Sequence, residues 1–193
     1  MKNVSVSFDS STDEELLAYY AEGDPRAAKL LVERLAPAVL RLASNLLPDK
    51  ADAEEITQET FLRLWKIAPD WQRGRAKVST WLWRVAANLC ADWLRKKRPA
   101  SLQEIDDPAD GRPMNEARLM DLDRANVLKG ELMKLPVRQR TAIALRHLEC
   151  ASNPEIAAAM SISVEAVESL LSRGMKTLRR NLIGRKAELG WEQ

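Results

Sequence analysis

Asp52, Glu55 and Glu59 stand at i, i+3 and i+7 of an amphipathic stretch, with Gln58 beside them, so their side chains line one ridge of a helix. Paired carboxylates can move protons or hold a metal, but these lie in a row on an outward ridge, and the only histidine, His147, is far away in sequence. Catalysis and metal binding are therefore not expected. Spacing leaves two readings open: a solvated ridge, or a face that docks on a basic protein surface. Further along, Trp71-Gln72-Arg73-Gly74-Arg75-Ala76-Lys77 mixes an aromatic ring, three bases and a glycine. That composition suits single-stranded nucleic acid, where bases stack on rings and phosphates need cations. The next amphipathic stretch carries Leu82, Val85, Ala86, Leu89 and Trp93 on its apolar stripe, which turns Arg84, Asn88, Asp92, Arg95 and Lys96 elsewhere. An asparagine amide offers both a donor and an acceptor to a base edge. The terminal run Arg95-Lys96-Lys97-Arg98 also complements a helix dipole, and Trp81 and Trp83 read as core or rim residues.

A second constellation lies between about Leu135 and Leu182. Ser152-Asn153-Pro154-Glu155 is a capping box with proline in the first turn, opening a short helix from Asn153 to Met160. Ser161-Ile162 makes a turn, and Ser163 is placed to cap the next helix. There Val167, Leu171, Gly174 and Leu178 fall at i, i+4, i+7 and i+11, a core stripe that leaves Glu165, Glu168, Ser169, Ser172, Arg173 and Lys176 off it. A short helix, a tight turn and a longer helix with polar residues outward form a helix-turn-helix, the geometry that seats the second helix in a major groove. Arg173, Lys176, Arg179 and Arg180 are placed to neutralise phosphates, which position a protein on DNA without specifying sequence. The turn position that glycine usually takes is Ser161, so a left-handed backbone there carries a small cost.

The elements that must hold these residues are helical. The chain has 193 residues, 46% of them hydrophobic and 30% charged, which fits a soluble globular protein and excludes a disordered one. No apolar run approaches the roughly 18–20 residues that span a bilayer, and the N-terminus lacks the order of a signal peptide, so a cytoplasmic location is expected. Cys90 and Cys150 have no ligand-like spacing, and neither a disulfide nor a cofactor is expected. Capping signals predict helices from Asp13 to Glu22, from Asp24-Pro25 to Leu47 with a bend at Pro37, from Ala51 to Ala68, and from Ser79 to Lys97. In the third, Ile56, Thr60, Leu64 and Ile67, with Phe61 and Trp65, form a wide apolar stripe. Helices resume near Asn115, with one ending before Leu135-Pro136 and another spanning Val137 to Glu149. The net charge of +2 hides an uneven distribution. Residues 99–123 are strongly acidic, whereas Arg173, Lys176, Arg179, Arg180, Arg185 and Lys186 meet no acid between them. The expectation is an all-α protein of two small helical domains, residues 1–98 and 115–193, joined by a flexible linker over residues 99–114.

The run from Asp52 to Trp65 (DAEEITQETFLRLW), then Ser79 to Asn88 (STWLWRVAAN), with Asp92 and Arg95, resembles region 2 of extracytoplasmic-function sigma factors of the sigma-70 family. Leu135-Pro136-Val137-Arg138-Gln139-Arg140 and the helix-turn-helix after it resemble region 4. The order and spacing agree over nearly the whole chain. The resemblance implies a subunit of bacterial RNA polymerase that selects promoters and is not itself an enzyme. It implies docking of the acidic helix, through Asp52, Glu55, Gln58 and Glu59, on the β′ clamp helices of the polymerase core. It implies reading of the −10 promoter element by Trp71, Arg73, Arg75, Lys77, Asn88, Asp92 and Arg95, around a base extruded from the duplex. It implies reading of the −35 element by Ser163, Glu165, Glu168, Ser169, Ser172, Arg173 and Lys176, contact with the β flap, a linker threading toward the RNA exit path, and control by an anti-sigma factor.

This chain departs from the family at Glu168 and Leu170, where lysine or arginine is common at the front of the recognition helix. Glutamate accepts from cytosine but repels phosphate, so either an unusual −35 preference or weak autonomous DNA binding by the C-terminal domain is expected. Two rival readings stay open: a helix-turn-helix regulator that binds DNA without joining polymerase, and a decoy that titrates an anti-sigma factor. No nucleophile–base pair or phosphate loop supports an enzyme.

Overall fold

The computed structural model describes residues 8, 10–74, 76–97 and 116–184, with the backbone alone described over 116–124. Among the described residues there are eight α-helices and no strand: α1 Asp13–Ala21, α2 Pro25–Leu46, α3 Lys50–Ile67, α4 Val78–Lys97, α5 Glu116–Met133, α6 Val137–His147, α7 Asn153–Met160 and α8 Val164–Ile183. A short 3-10 turn, Ala68–Asp70, follows α3. The predicted helices are all present, with ends shifted by one or two residues. The linker expected at residues 99–114, like Arg75, Arg185 and Lys186, lies outside the described residues.

The helix starts are set by side chains that satisfy orphan backbone donors. Thr12 and Glu15 form a reciprocal capping box on α1. Asp24 accepts from the Arg26 N–H ahead of Pro25, and Asp49 accepts from the N–H groups of Ala51 and Asp52. Ser163 accepts from Ala166 at the start of α8. The helix α2 runs uninterrupted through Pro37, which is exposed.

In the N-terminal half, Leu16 and Leu17 of α1, Leu31, Leu42 and Leu46 of α2, Leu64 of α3 and Leu82 of α4 are fully buried together. Thr57 and Thr60 join them because each hydroxyl donates to a carbonyl four residues back, Ala53 at 2.8 Å and Ile56 at 2.7 Å. In the C-terminal half, Leu145, Ile156 and Val167 unite α6, α7 and α8, and a smaller cluster of Leu132, Leu135, Ile143 and Leu178 ties α5 to them.

The two halves are in contact. The helix α4 packs on α7 and α2 packs on α6, so the main apolar cluster runs continuously from one half to the other. Three polar contacts cross the same boundary. Arg41 donates twice to the Glu149 carboxylate, at 2.7 and 3.0 Å, and the Glu149 side chain is buried. Arg140, also buried, donates to the Leu46 carbonyl at 2.8 Å, capping the C-terminal end of α2, while its other guanidinium nitrogen reaches the Met133 carbonyl at 3.0 Å. Lys77 meets Glu155 at 2.7 Å.

Candidate nucleic-acid interface

The outward ridge of α3 begins from an amphipathic helix whose Ile56, Thr60, Phe61 and Leu64 are buried. Glu55 and Gln58 are exposed, and Glu59 is half-exposed with an i,i+4 ion pair to Arg63 at 2.8 Å. Together with Asp92 and Lys96 of α4 they line a groove between the two helices. Leu62 also lines it and is 61% exposed, an apolar side chain set among charges. It lies inside the acidic motif but off the core stripe, and that off-stripe position was the signal for it in the sequence. Asp52 does not share the ridge. Its carboxylate turns toward α4, where it accepts from the Trp93 indole N–H at 3.1 Å and meets the Lys97 ammonium at 3.4 Å. The cause is position: Asp52 is in the first turn of α3, opposite the last turn of α4.

The loop after α3 is built on packing. Trp71 is half-buried and stands edge-on to Trp81, with ring centroids 6.2 Å apart, which gives it a supporting place in the fold instead of the open ring expected as a base platform. Gly74 takes φ +76°, a left-handed conformation, and its N–H donates to the Glu14 carboxylate of α1 at 3.2 Å. Arg73 and Lys77 are exposed, and Lys77 is paired with Glu155. Asn88, Asp92 and Arg95 are exposed along α4, where Arg95 pairs with Asp92 at 2.8 Å. Trp83 is buried, as is Cys90, whose thiol is pushed up to about 12 by burial and is held as an inert thiol. Cys150 is exposed.

The capping box of α7 is itself part of this region. Glu155 accepts from the Ser152 backbone N–H at 2.9 Å and its hydroxyl at 2.7 Å, and then from Lys77. Lys77 and Ser152 together hold the Glu155 carboxyl down to about 2, and Lys77 is raised in return. Ser161 adopts φ +53°, so the turn is left-handed without glycine, and the Ile162 N–H donates to the Ala157 carbonyl at 3.0 Å to close it.

In α8 the core stripe is Val167, Leu170, Gly174 and Leu178, with Leu171 half-buried. Leu170 therefore belongs to the core and does not face outward as its family position suggested. At three residues past Val167 and four before Gly174, it widens the stripe on the side that joins the main cluster. Ser163, Glu165, Glu168, Ser169, Ser172, Arg173 and Lys176 are all exposed. Beyond them Lys176, Arg179 and Arg180 line a basic groove of about 530 Å³ along the last turns. Among the described residues no cluster of three or more histidine, cysteine or acidic side chains is arranged to hold a metal. No helix among them is long and apolar enough to cross a membrane.

Comparison with known proteins gives a consistent result. Residues 31–100 match sigma-70 region 2, and residues 125–178 match sigma-70, region 4. The chain is 30% identical over 173 residues to the ECF RNA polymerase sigma factor SigW of Bacillus subtilis strain 168, across 83% of this chain and 91% of that protein. It is equally similar, 30% over 185 residues, to the ECF RNA polymerase sigma-E factor of Escherichia coli K12, across 86% and 92%. Among solved structures, CnrH in complex with the cytosolic domain of CnrY is 28% identical with a TM-score of 0.69, covering 89% of this chain and 97% of that one. The sigma factor RpoE in complex with the anti-sigma factor NepR from Bartonella quintana shares the fold at 21% identity, with a TM-score of 0.64 over 80% of this chain and 95% of that one.

Proposed function

Because the chain belongs to the extracytoplasmic-function RNA polymerase sigma factors of the sigma-70 family, we propose that it joins core RNA polymerase in the cytoplasm and directs it to promoters through two separate DNA readers. The α3–α4 groove is the docking face for the β′ clamp helices. Leu62 supplies apolar contact at its centre, with Glu55, Gln58 and Glu59 around it to meet basic residues. Arg73, Arg75 and Lys77 neutralise phosphates at the melted −10 element, where Asn88, Asp92 and Arg95 meet base edges and an extruded base. The exposed face of α8, from Ser163 to Lys176, enters the major groove of the −35 element, with the basic groove behind it on the backbone. Region 4 also contacts the β flap. The chemistry of transcription belongs to the polymerase, and this chain supplies recognition and melting.

The observation that carries this reading is the pairing, on one chain, of an acidic groove on α3–α4 with a wholly exposed polar face on α8 whose reverse side is core. The packed halves add a requirement. By their names the two promoter elements lie about 25 base pairs apart, roughly 85 Å at 3.4 Å per pair. The helix α7 leans directly on α4, so both readers engage DNA only after the halves separate. An anti-sigma factor is the partner suited to hold the closed arrangement and cover the docking groove. That proposal is supported by the fold shared with the sigma factor RpoE, whose structure was solved in complex with the anti-sigma factor NepR.

The test is reconstitution with core polymerase on a randomised promoter library. The expected result is core-dependent open complexes that select two motifs on one side of the start site. Binding to a symmetric operator without core would favour the regulator, and tight anti-sigma binding with no initiation would favour the decoy.

A further inference from the structure

The carboxylate of Asp52 is committed inside the protein. Its Oδ1 accepts from Trp93 Nε1 at 3.1 Å, and Lys97 Nζ lies 3.4–3.5 Å from both carboxylate oxygens. The same ammonium sits 4.2 Å from the centroid of the Trp93 ring. The three residues close a triangle that joins the first turn of α3 to the last turn of α4, and the Asp52 side chain is only 17% exposed. Glu55 and Gln58, one turn further on, face solvent. A carboxylate already engaged by an indole N–H and an ammonium has little capacity left for a partner protein.

We infer that Asp52 is a positioning residue, acting through Trp93 and Lys97 to fix the last two turns of α4, which carry Asp92 and Arg95. This rests on the reading of α4 as the −10 reader. Docking helix and reader, already packed on each other, are thereby also tied at the end of α4, so the orientation of polymerase on α3 is carried to the promoter strand partly through this carboxylate. Trp93 is held from two sides, by the hydrogen bond at its indole edge and the cation over its ring. Without Asp52 the indole N–H and Lys97 both lose their acceptor, and the turns bearing Asp92 and Arg95 are left tethered by their apolar contacts alone.

The experiment uses holoenzyme assembled from core polymerase and the full chain, on a promoter selected from the library by the wild-type protein. Asp52→Ala, Asp52→Asn, Trp93→Phe and the double variant Asp52→Ala with Trp93→Phe are compared, with circular dichroism to follow the fold. Core affinity is measured by fluorescence anisotropy and strand opening by permanganate reactivity of −10 thymines. Asp52→Ala and Trp93→Phe are each expected to reduce opening about tenfold, the scale of a lost charge-assisted hydrogen bond, with core affinity within about twofold of wild type. Asp52→Asn keeps an acceptor for the indole and restores most of the opening. The double variant is no worse than Asp52→Ala, because both remove the same bond. Loss of core affinity in both Asp52 variants but not in Trp93→Phe overturns the assignment and returns Asp52 to the docking face. Opening unchanged in all four also overturns it. A wild-type chain that makes no open complex with core overturns the promoter reading itself, and this inference with it.

Discussion

Lys77 and Glu155 meet at 2.7 Å across the boundary between the two halves, joining the loop that leads into α4 to the capping box that opens the helix-turn-helix. Each serves two purposes. Lys77 is a proposed phosphate contact, and Glu155 stands on it where a phosphate would. Glu155 also receives both Ser152 donors, and its carboxyl is held at about 2 against an ordinary value of 4.5. A depressed folded-state value means that the stabilisation is complete above 4.5 and is lost as pH falls through about 2. Between those values the closed arrangement should loosen with acid in the wild type and respond less in Glu155→Gln. A donor–acceptor dye pair on α4 and α8, followed from pH 6 to pH 2 (about, by the scale of carboxylate titration), reports this. Identical curves for the two proteins would remove Glu155 as the titrating group.

Arg140 makes the deeper contact. It lies 3% exposed, caps the last carbonyl of α2 through Leu46 and donates to Met133, while its Nε has no partner. Arg140→Ala takes the guanidinium donor from the buried Leu46 carbonyl and the partly buried Met133 carbonyl, and opens a cavity at the junction. The expected loss is about 2–4 kcal/mol of stability, seen as a lowered midpoint in urea unfolding. Because the contact bridges the halves, the same variant should also raise promoter affinity in the absence of a partner protein. A stability loss with no change in promoter affinity would limit Arg140 to a structural role.

Much of this was legible in advance, and the misses share one cause. Caps and periodicity are local, so Asp24-Pro25, Ser152 with Glu155, and the stripe through Val167, Gly174 and Leu178 stood out in the sequence at their true places. Periodicity shows which residues share a helix face but not what covers the neighbouring face. Thus Leu170, just beside its stripe, is buried by neighbours that sequence spacing does not announce. Asp52 counted as one of a row of acids because its partner Trp93 lies 41 residues away. Arg41 and Glu149 are 108 residues apart, and neither belongs to a motif. Ser161 is left-handed although it is not glycine, since the turn demands that conformation whatever residue occupies it.

The closeness of α6 to α8 depends on Gly174. A Cβ added there would lie 2.7 Å from Ile143 Cδ1 and 3.3 Å from Gln139 Cβ. The Ile143 terminus can swing aside, but the Gln139 Cβ is fixed by its backbone. Overpacking costs about 1–3 kcal/mol and the helix-propensity gain of alanine over glycine returns about 1, so Gly174→Ala should lose on the order of 1 kcal/mol. Adding Ile143→Val removes the nearest atom, and the double variant should lose less than the sum of the two single changes. Strict additivity in thermal unfolding would show that the α6–α8 spacing is not set at this contact.

Glu168 is, with Glu165, one of two exposed acids on the face of α8 proposed to read the −35 element, and it is the one further along the helix toward Arg173 and Lys176. A carboxylate there accepts from a cytosine amino group and is repelled by any phosphate within reach. Glu168→Lys exchanges a repulsion for an attraction, so two effects should appear together. The selected −35 motif should lose a cytosine preference at one position, at a scale of about 1–3 kcal/mol, and the salt dependence of holoenzyme binding should steepen by about one phosphate contact. Glu168→Gln separates the two, because the amide keeps an acceptor and drops the charge: the motif should largely persist while the salt slope changes by less. Library selection and binding at several salt concentrations, run on the same three proteins, measure both. If Glu168→Lys selects the wild-type motif with the wild-type salt slope, Glu168 faces neither base nor phosphate, and the reading surface must begin further along the helix, at Ser172, Arg173 and Lys176.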